Sequence, residues 1–157
     1  MFETVNRPRG DVEAIIDFKS GERERICFPN TVLNNGKAVL AQTLAGEIGS
    51  SFVFYVCQMV FGNNGTVGGV PRFVDAGREG LFGPTVISKN VIATIDPNNP
   101  TQVIFSAILT YDDAVNYTLN EMALQLADET FYSMATFGDI SKTNLMQITW
   151  SWKLSFV

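Results

Sequence analysis

The segment NLMQITWSWKLSFV at positions 144–157 constrains the fold more than any other. Met146, Ile148, Trp150, Trp152, Leu154 and Phe156 alternate strictly with Gln147, Thr149, Ser151, Lys153 and Ser155. Successive side chains of an extended chain point to opposite faces, so the pattern predicts a half-buried antiparallel strand with one polar face and one very large aromatic face. Two tryptophans and a phenylalanine on one face also suit sugar stacking. Sharing that face with Met146, Ile148 and Leu154 favours core packing.

A strand of this kind needs partners, and the rest of the chain supplies them. Residues 12–29 read as two strands around a polar turn at Ser20 and Gly21, which predicts a hairpin. Residues 52–61, FVFYVCQMVF, are apolar on both alternating faces and predict a central strand covered on both sides. Further strands are expected over residues 86–95 and 102–111, and residues 118–126 and 131–137 form a hairpin across Ala127, Asp128 and Glu129. Leu119, Met122 and Leu126 also fit a helical period, which leaves a helix over 118–126 as the alternative.

Two segments break the strand pattern. Val39, Leu40 and Leu44 recur at helical spacing, Asn34 or Asn35 is placed to cap the start, and Gly46 suits the exit, so one short helix is expected over residues 34–45, with Gly36 weakening its first turn. Residues 62–84 carry seven glycines and two prolines in 23 positions, a density that predicts a long irregular loop. The expected fold is mainly β, an antiparallel sandwich or jelly roll: an extended N-terminal arm over residues 1–11 and a single domain over 12–157. A chain of 157 residues is long enough for one such core without disulfides or metals.

Composition narrows function. Charged residues are only 17% of the chain against 46% hydrophobic, below the roughly 25% charged content usual for a soluble domain. Part of the surface is therefore expected to be covered by something else. A net charge of −5 disfavours nucleic acid, whose affinity comes largely from neutralised phosphates. No stretch has the length and apolarity of a membrane span or the features of a signal peptide, which gives the expectation of a soluble protein made in a cytoplasm. Cys27 and Cys57 sit in strand-like apolar contexts and read as buried free thiols.

The chain has no histidine, which removes the Ser-His-Asp and Cys-His arrangements and the imidazole zinc sites. The glycine-rich GNNGTVGGV lacks the Lys-Ser/Thr ending of a phosphate loop. The acid pairs Asp112 with Asp113 and Asp128 with Glu129 fall in expected turns, where carboxylates normally cap or stay solvated. No catalytic residue, metal site or cofactor is expected. The candidates for contact with a neighbouring protein are Arg7 and Arg9 in the arm and Arg72, Phe73, Arg78 and Phe82 in the glycine-rich segment. Loop arginines make bidentate contacts to carboxylates, and Phe73 and Phe82 offer aromatic faces to a protein or a glycan.

NEMALQL at 120–126, FYSMATFGDISKT at 131–143 and the terminal QITWSWKLSF give residues 82–157 a resemblance to small virion proteins of tailed bacteriophages, including head decoration or cement proteins and tail or collar accessory proteins. In these proteins a strand opening with Asn-Glu leads through a hairpin to a Lys-Thr or similar pair and a final strand with Trp near its middle. The resemblance implies a β-sandwich that assembles, often as a trimer, on a capsid or tail, with the major capsid protein or another virion protein as partner. It brings no catalytic residue. The expectation is a head decoration or cement protein in the virion, made in a bacterial host; the alternatives are a tail, neck or baseplate component, or a carbohydrate- or receptor-binding module.

Overall fold

The computed structural model describes residues 9–46 and 55–156. The chain is a mainly β protein of two five-stranded antiparallel sheets, one short helix and a small two-stranded ribbon. Along the chain run β1 (Arg9–Phe18), β2 (Arg23–Pro29), β3 (Thr31–Val32), α1 (Asn34–Leu44), β4 (Val56–Gly62), β5 (Thr66–Val67), β6 (Val70–Pro71) and β7 (Thr85–Asn90). β8 (Ile92–Thr94), β9 (Gln102–Leu109), β10 (Thr118–Leu126), β11 (Phe131–Ser141) and β12 (Met146–Ser155) complete it. The first sheet has the order β2-β1-β12-β9-β8 and the second β3-β11-β10-β4-β7, with β5 and β6 forming the ribbon.

The alternating C-terminal segment becomes β12, in the middle of the first sheet between β1 and β9. Met146, Ile148, Trp150, Trp152 and Leu154 are buried, and the polar residues between them are partly exposed. Trp150 lies 5.0 Å from Phe61 of the opposite sheet and 5.4 Å from Phe137, ring centre to ring centre. Val12, Ala14 and Ile16 of β1, Phe105 and Leu109 of β9, and Met122 and Leu124 of β10 fill the same core. The aromatic face of Trp150 and Trp152 is therefore core; Phe156, past the end of β12, is 42% exposed.

β4 is buried on both faces, as its sequence requires, although residues 52–54 of that expected strand lie outside the described residues. Met59 and Phe61 face the main core. Val60 faces the other way, into a second cluster with Leu33, Val74, Ala123, Phe131 and Met134. Leu81 and Phe82 of the glycine-rich segment pack on that cluster, so the outer face of the second sheet is covered by the chain itself.

The structure departs from expectation in several places. Residues 86–95 are not one strand: β7 belongs to the second sheet and β8 to the first, and the chain crosses between them at Val91, which packs against the core while its N–H donates to the Cys57 carbonyl at 3.1 Å. Ile95, the last residue of that expected strand, is 59% exposed because it lies beyond the crossing. Residues 118–126 form the expected strand and not the alternative helix, but its hairpin partner β11 runs past residue 137 to Ser141. Residues 9–11, assigned to an arm, already pair with β12. Both cysteines are free, but Cys27 is exposed, because it sits on the outer face of a sheet-edge strand, and Cys57 is half-buried.

The helix forms where expected but starts differently. Leu33 occupies the cap position with no side-chain cap, and the first helical residue, Asn34, donates its N–H to the Ala76 carbonyl at 2.7 Å. A carbonyl of the glycine-rich segment thus satisfies a helix N–H that a polar cap would otherwise take. Gly36 is buried against β11, where a Cβ would collide with the carbonyl oxygen of Tyr132. The glycine lets α1 lie directly on the sheet.

Lys89, which interrupts the apolar pattern of β7, donates to Asp113 at 2.8 Å. Asp113 also accepts from the N–H and hydroxyl of Thr110, closing the turn after β9. Lys142 is buried, and its Nζ donates to the carbonyls of Thr110 and Thr143, each at 2.9 Å, tying that turn to the end of β11. Burial lowers the Lys142 pKa, an effect partly offset by Asp113 and Asp112.

Two outcomes test this packing. Gly36→Ala is expected to destabilise the protein by about 1–3 kcal/mol in urea unfolding, although alanine is the better helix former, because overpacking against Tyr132 outweighs propensity. For Asp113, burial raises the carboxyl pKa, but the hydrogen bonds from Lys89 and Thr110 together with the Lys89 charge outweigh it and leave a net lowering. Its stabilising contribution is thus fully present above the ordinary carboxylate pKa of about 4 and is lost as pH falls through the lowered folded value. Asp113→Asn should flatten the acid limb of the stability–pH curve below about pH 4, the wild-type and variant curves running parallel above that range and drawing together as pH falls through it.

A candidate contact surface on the glycine-rich segment

Residues 62–84 lie across the outer face of the second sheet, held there by two neighbouring side chains of β10. Pairing between β10 and β11 is irregular between Leu119 and Glu121, and a bulge of this kind re-aims side chains. Asn120 and Glu121 both reach the segment as a result. Glu121 is fully buried and accepts main-chain hydrogen bonds from Phe82 at 2.7 Å, Gly83 at 3.1 Å and Asn64 at 3.2 Å. Asn120 accepts from the Gly65 N–H at 2.6 Å and donates to the Thr66 hydroxyl at 3.1 Å and to Asp139 at 3.0 Å.

These bonds join the start of the segment to its end. A buried carboxylate is tolerated only when its charge is matched, and here backbone N–H groups do so. Gly65 is required by the same closeness, since a Cβ there would meet the Asn120 carbonyl. The hydrogen bonds from Asn120 and Thr66 hold the Asp139 carboxyl below its usual range.

The clasp brings together four of the six residues expected to contact a neighbour. Phe82 lies partly buried, with the Arg78 guanidinium 3.7 Å and the Arg72 guanidinium 5.0 Å from its ring centre. Arg78 also donates to the carbonyls of Gly80 at 3.2 Å and Leu81 at 3.1 Å. Arg78 and Phe82 therefore shape the segment from within. Phe73 points outward and is 85% exposed, with Val67 and Val70 of the ribbon also exposed. Arg72 anchors the ribbon to the sheet, its carbonyl accepting from the Thr136 hydroxyl at 2.7 Å, and its Nε is buried with no partner among the described residues.

The two arm residues are not part of this cluster. Arg7 lies outside the described residues, and Arg9 opens β1 opposite Ser155 of β12. The acid pairs do turn chemistry: Asp113 as above, and Asp128 accepting from the N–H and hydroxyl of Thr130 at 3.0 and 2.6 Å. Among the described residues no three His, Cys, Asp or Glu side chains gather as metal ligands, and no helix is long and apolar enough to cross a membrane.

Sequence reading missed the roles of Asn120, Glu121, Asp139 and Lys142. The one available signal was a consecutive Asn and Glu opening an otherwise apolar strand. No family model matches the chain, and neither does any curated protein or solved structure.

Glu121→Gln replaces an acceptor-only group with an amide whose NH2 has no acceptor among these N–H donors. It is expected to cost about 2–3 kcal/mol in stability. Trypsin should then cleave at Arg72 and Arg78 many times faster than in the wild type; unchanged digestion would show that the segment does not depend on the carboxylate.

Proposed function

We propose that this protein is a non-enzymatic structural component of a tailed-phage particle: a head decoration or cement protein, active as a homo-oligomer, with a trimer favoured, that binds the major capsid protein and stabilises the shell. The resemblance of residues 82–157 to such virion proteins supplies the class. The structural observation that supports it most is the glycine-rich segment, ordered by Glu121 and Asn120 while Val67, Val70 and Phe73 face outward. A contact surface ordered in advance loses less conformational freedom on binding, which favours tight seating on a repeating lattice.

A tail, neck or baseplate position would use the same surface and differs in copy number. A glycan-binding role has weaker support, because Phe82 is engaged by Arg78 and leaves Phe73 as the exposed ring of the pair.

Particles made without the protein are expected to release their genome at lower temperature than complete ones, and purified protein added back should restore the difference while binding in hundreds of copies. Light scattering of the free protein should give the mass of a trimer. Unchanged thermal release would refute the decoration role, and a handful of copies at one end would assign the protein to the tail.

A further inference from the structure

Beside the ribbon, the side of the sandwich is bounded by two strand edges. β2 is the edge of the first sheet, and β3 covers β11 only at Ser133 and Met134. Between β2 and β11 lies a cleft of about 410 Å3. Phe28 and Phe137, stacked at 4.8 Å, line it, and Pro71, Arg72 and Phe73 border it from the glycine-rich segment.

The hydrogen bonds at the two ends of the β1–β2 pair show which way the β2 backbone faces. Phe18 N–H donates to the Glu22 carbonyl at 2.9 Å, and Asn30 N–H to the Gly10 carbonyl at 3.4 Å. With the continuous register between them, the even-numbered residues of β2 bond to β1, and the N–H and C=O groups of Arg25 and Cys27 face away from it. Among the described residues no strand pairs with this edge.

Its neighbours leave it usable. Pro29 has the same outward orientation and no N–H, so it ends the open run. Arg23 and Arg25, whose charges would guard such an edge, are drawn back over their own sheet by Asp17 and Glu13, each at 2.6 Å. Among the described residues Arg72 is the one charged residue lining the cleft, its buried Nε has no partner, and no acid lines the cleft with it.

We infer that this cleft accepts an extended segment of the shell partner, which adds a strand to β2 through the backbone of Arg25 and Cys27, sets an apolar side chain against Phe28 and Phe137, and brings a carboxylate to Arg72. Unpaired main-chain groups supply affinity in this mode of recognition, and the side chains beside them supply selectivity. The identity of the partner rests on the decoration role; the open edge and the charge of the cleft do not.

The test uses full-length protein and particles that lack it. Cys27→Pro deletes an outward N–H while leaving the bonds from β2 to β1, and should weaken particle binding at least about tenfold with little change in melting temperature. Arg72→Gln should weaken binding several-fold and reduce its dependence on salt. Should Cys27→Pro fail to fold, the wild type decides: maleimide modification of Cys27, followed by peptide mass mapping, should slow at least about tenfold on bound particles.

Wild-type protein that binds while Cys27 stays equally reactive would overturn the strand inference and leave the decoration role standing. Wild-type protein that binds no particle would overturn both. Cys27 protected in the free protein and exposed by dilution would assign the edge to a second copy of the chain and overturn the inference as stated.

Discussion

The buried carboxylate of Glu121 is the contact on which the outer half of the molecule depends. A charge in that position would cost several kcal/mol if unmatched. The main chain at Asn64, Phe82 and Gly83 matches it, and those N–H groups would otherwise lie over a sheet face with few acceptors. The dependence runs both ways: the segment holds its path because the strand presents an acceptor, and the strand tolerates the acid because the segment returns. Leu81 and Phe82 then seal Val60, Ala123 and Met134, so one electrostatic contact licenses a second apolar core.

This arrangement also accounts for the sparse charge. Part of the apolar surface is covered internally, by Val74, Leu81 and Phe82 of the glycine-rich segment on the second sheet. The two sheets are consequently unlike. The second carries its cover with it, whereas the first shows solvent a face on which Asp17, Glu13, Arg23 and Arg25 pair with one another.

Most of the architecture could be read from residues because burial imposes a period. β12 was legible from strict alternation, β4 from apolar character on both faces, and the first hairpin from its polar turn. The crossing at Val91 was not, because a strand that changes sheets keeps its alternation while its partners change. The start of α1 was misread for a related reason: the group that satisfies the Asn34 N–H is a carbonyl more than forty positions away, at Ala76. The contact surface was half legible. Glycine density and loop arginines marked where it lies, but its organiser is an acid in the middle of a strand, and only the pairing irregularity at Asn120 explains how that acid reaches the loop. The same holds for Lys142, whose carbonyl partners come from separate turns.

The central place of β12 has a consequence for how the protein comes to exist. β1 is made first among the described strands and β12 last, yet the two pair along ten residues, Arg9 with Ser155 through Phe18 with Met146. During synthesis the β1–β2 hairpin must wait with Val12, Ala14 and Ile16 uncovered until the ribosome releases the two tryptophans that complete their sheet. Such distant pairing slows folding and prolongs the exposure of sticky intermediates. Truncation or stalling shortly before Met146 would leave every earlier described strand made but the core without its two tryptophans, a natural substrate for chaperones and proteases.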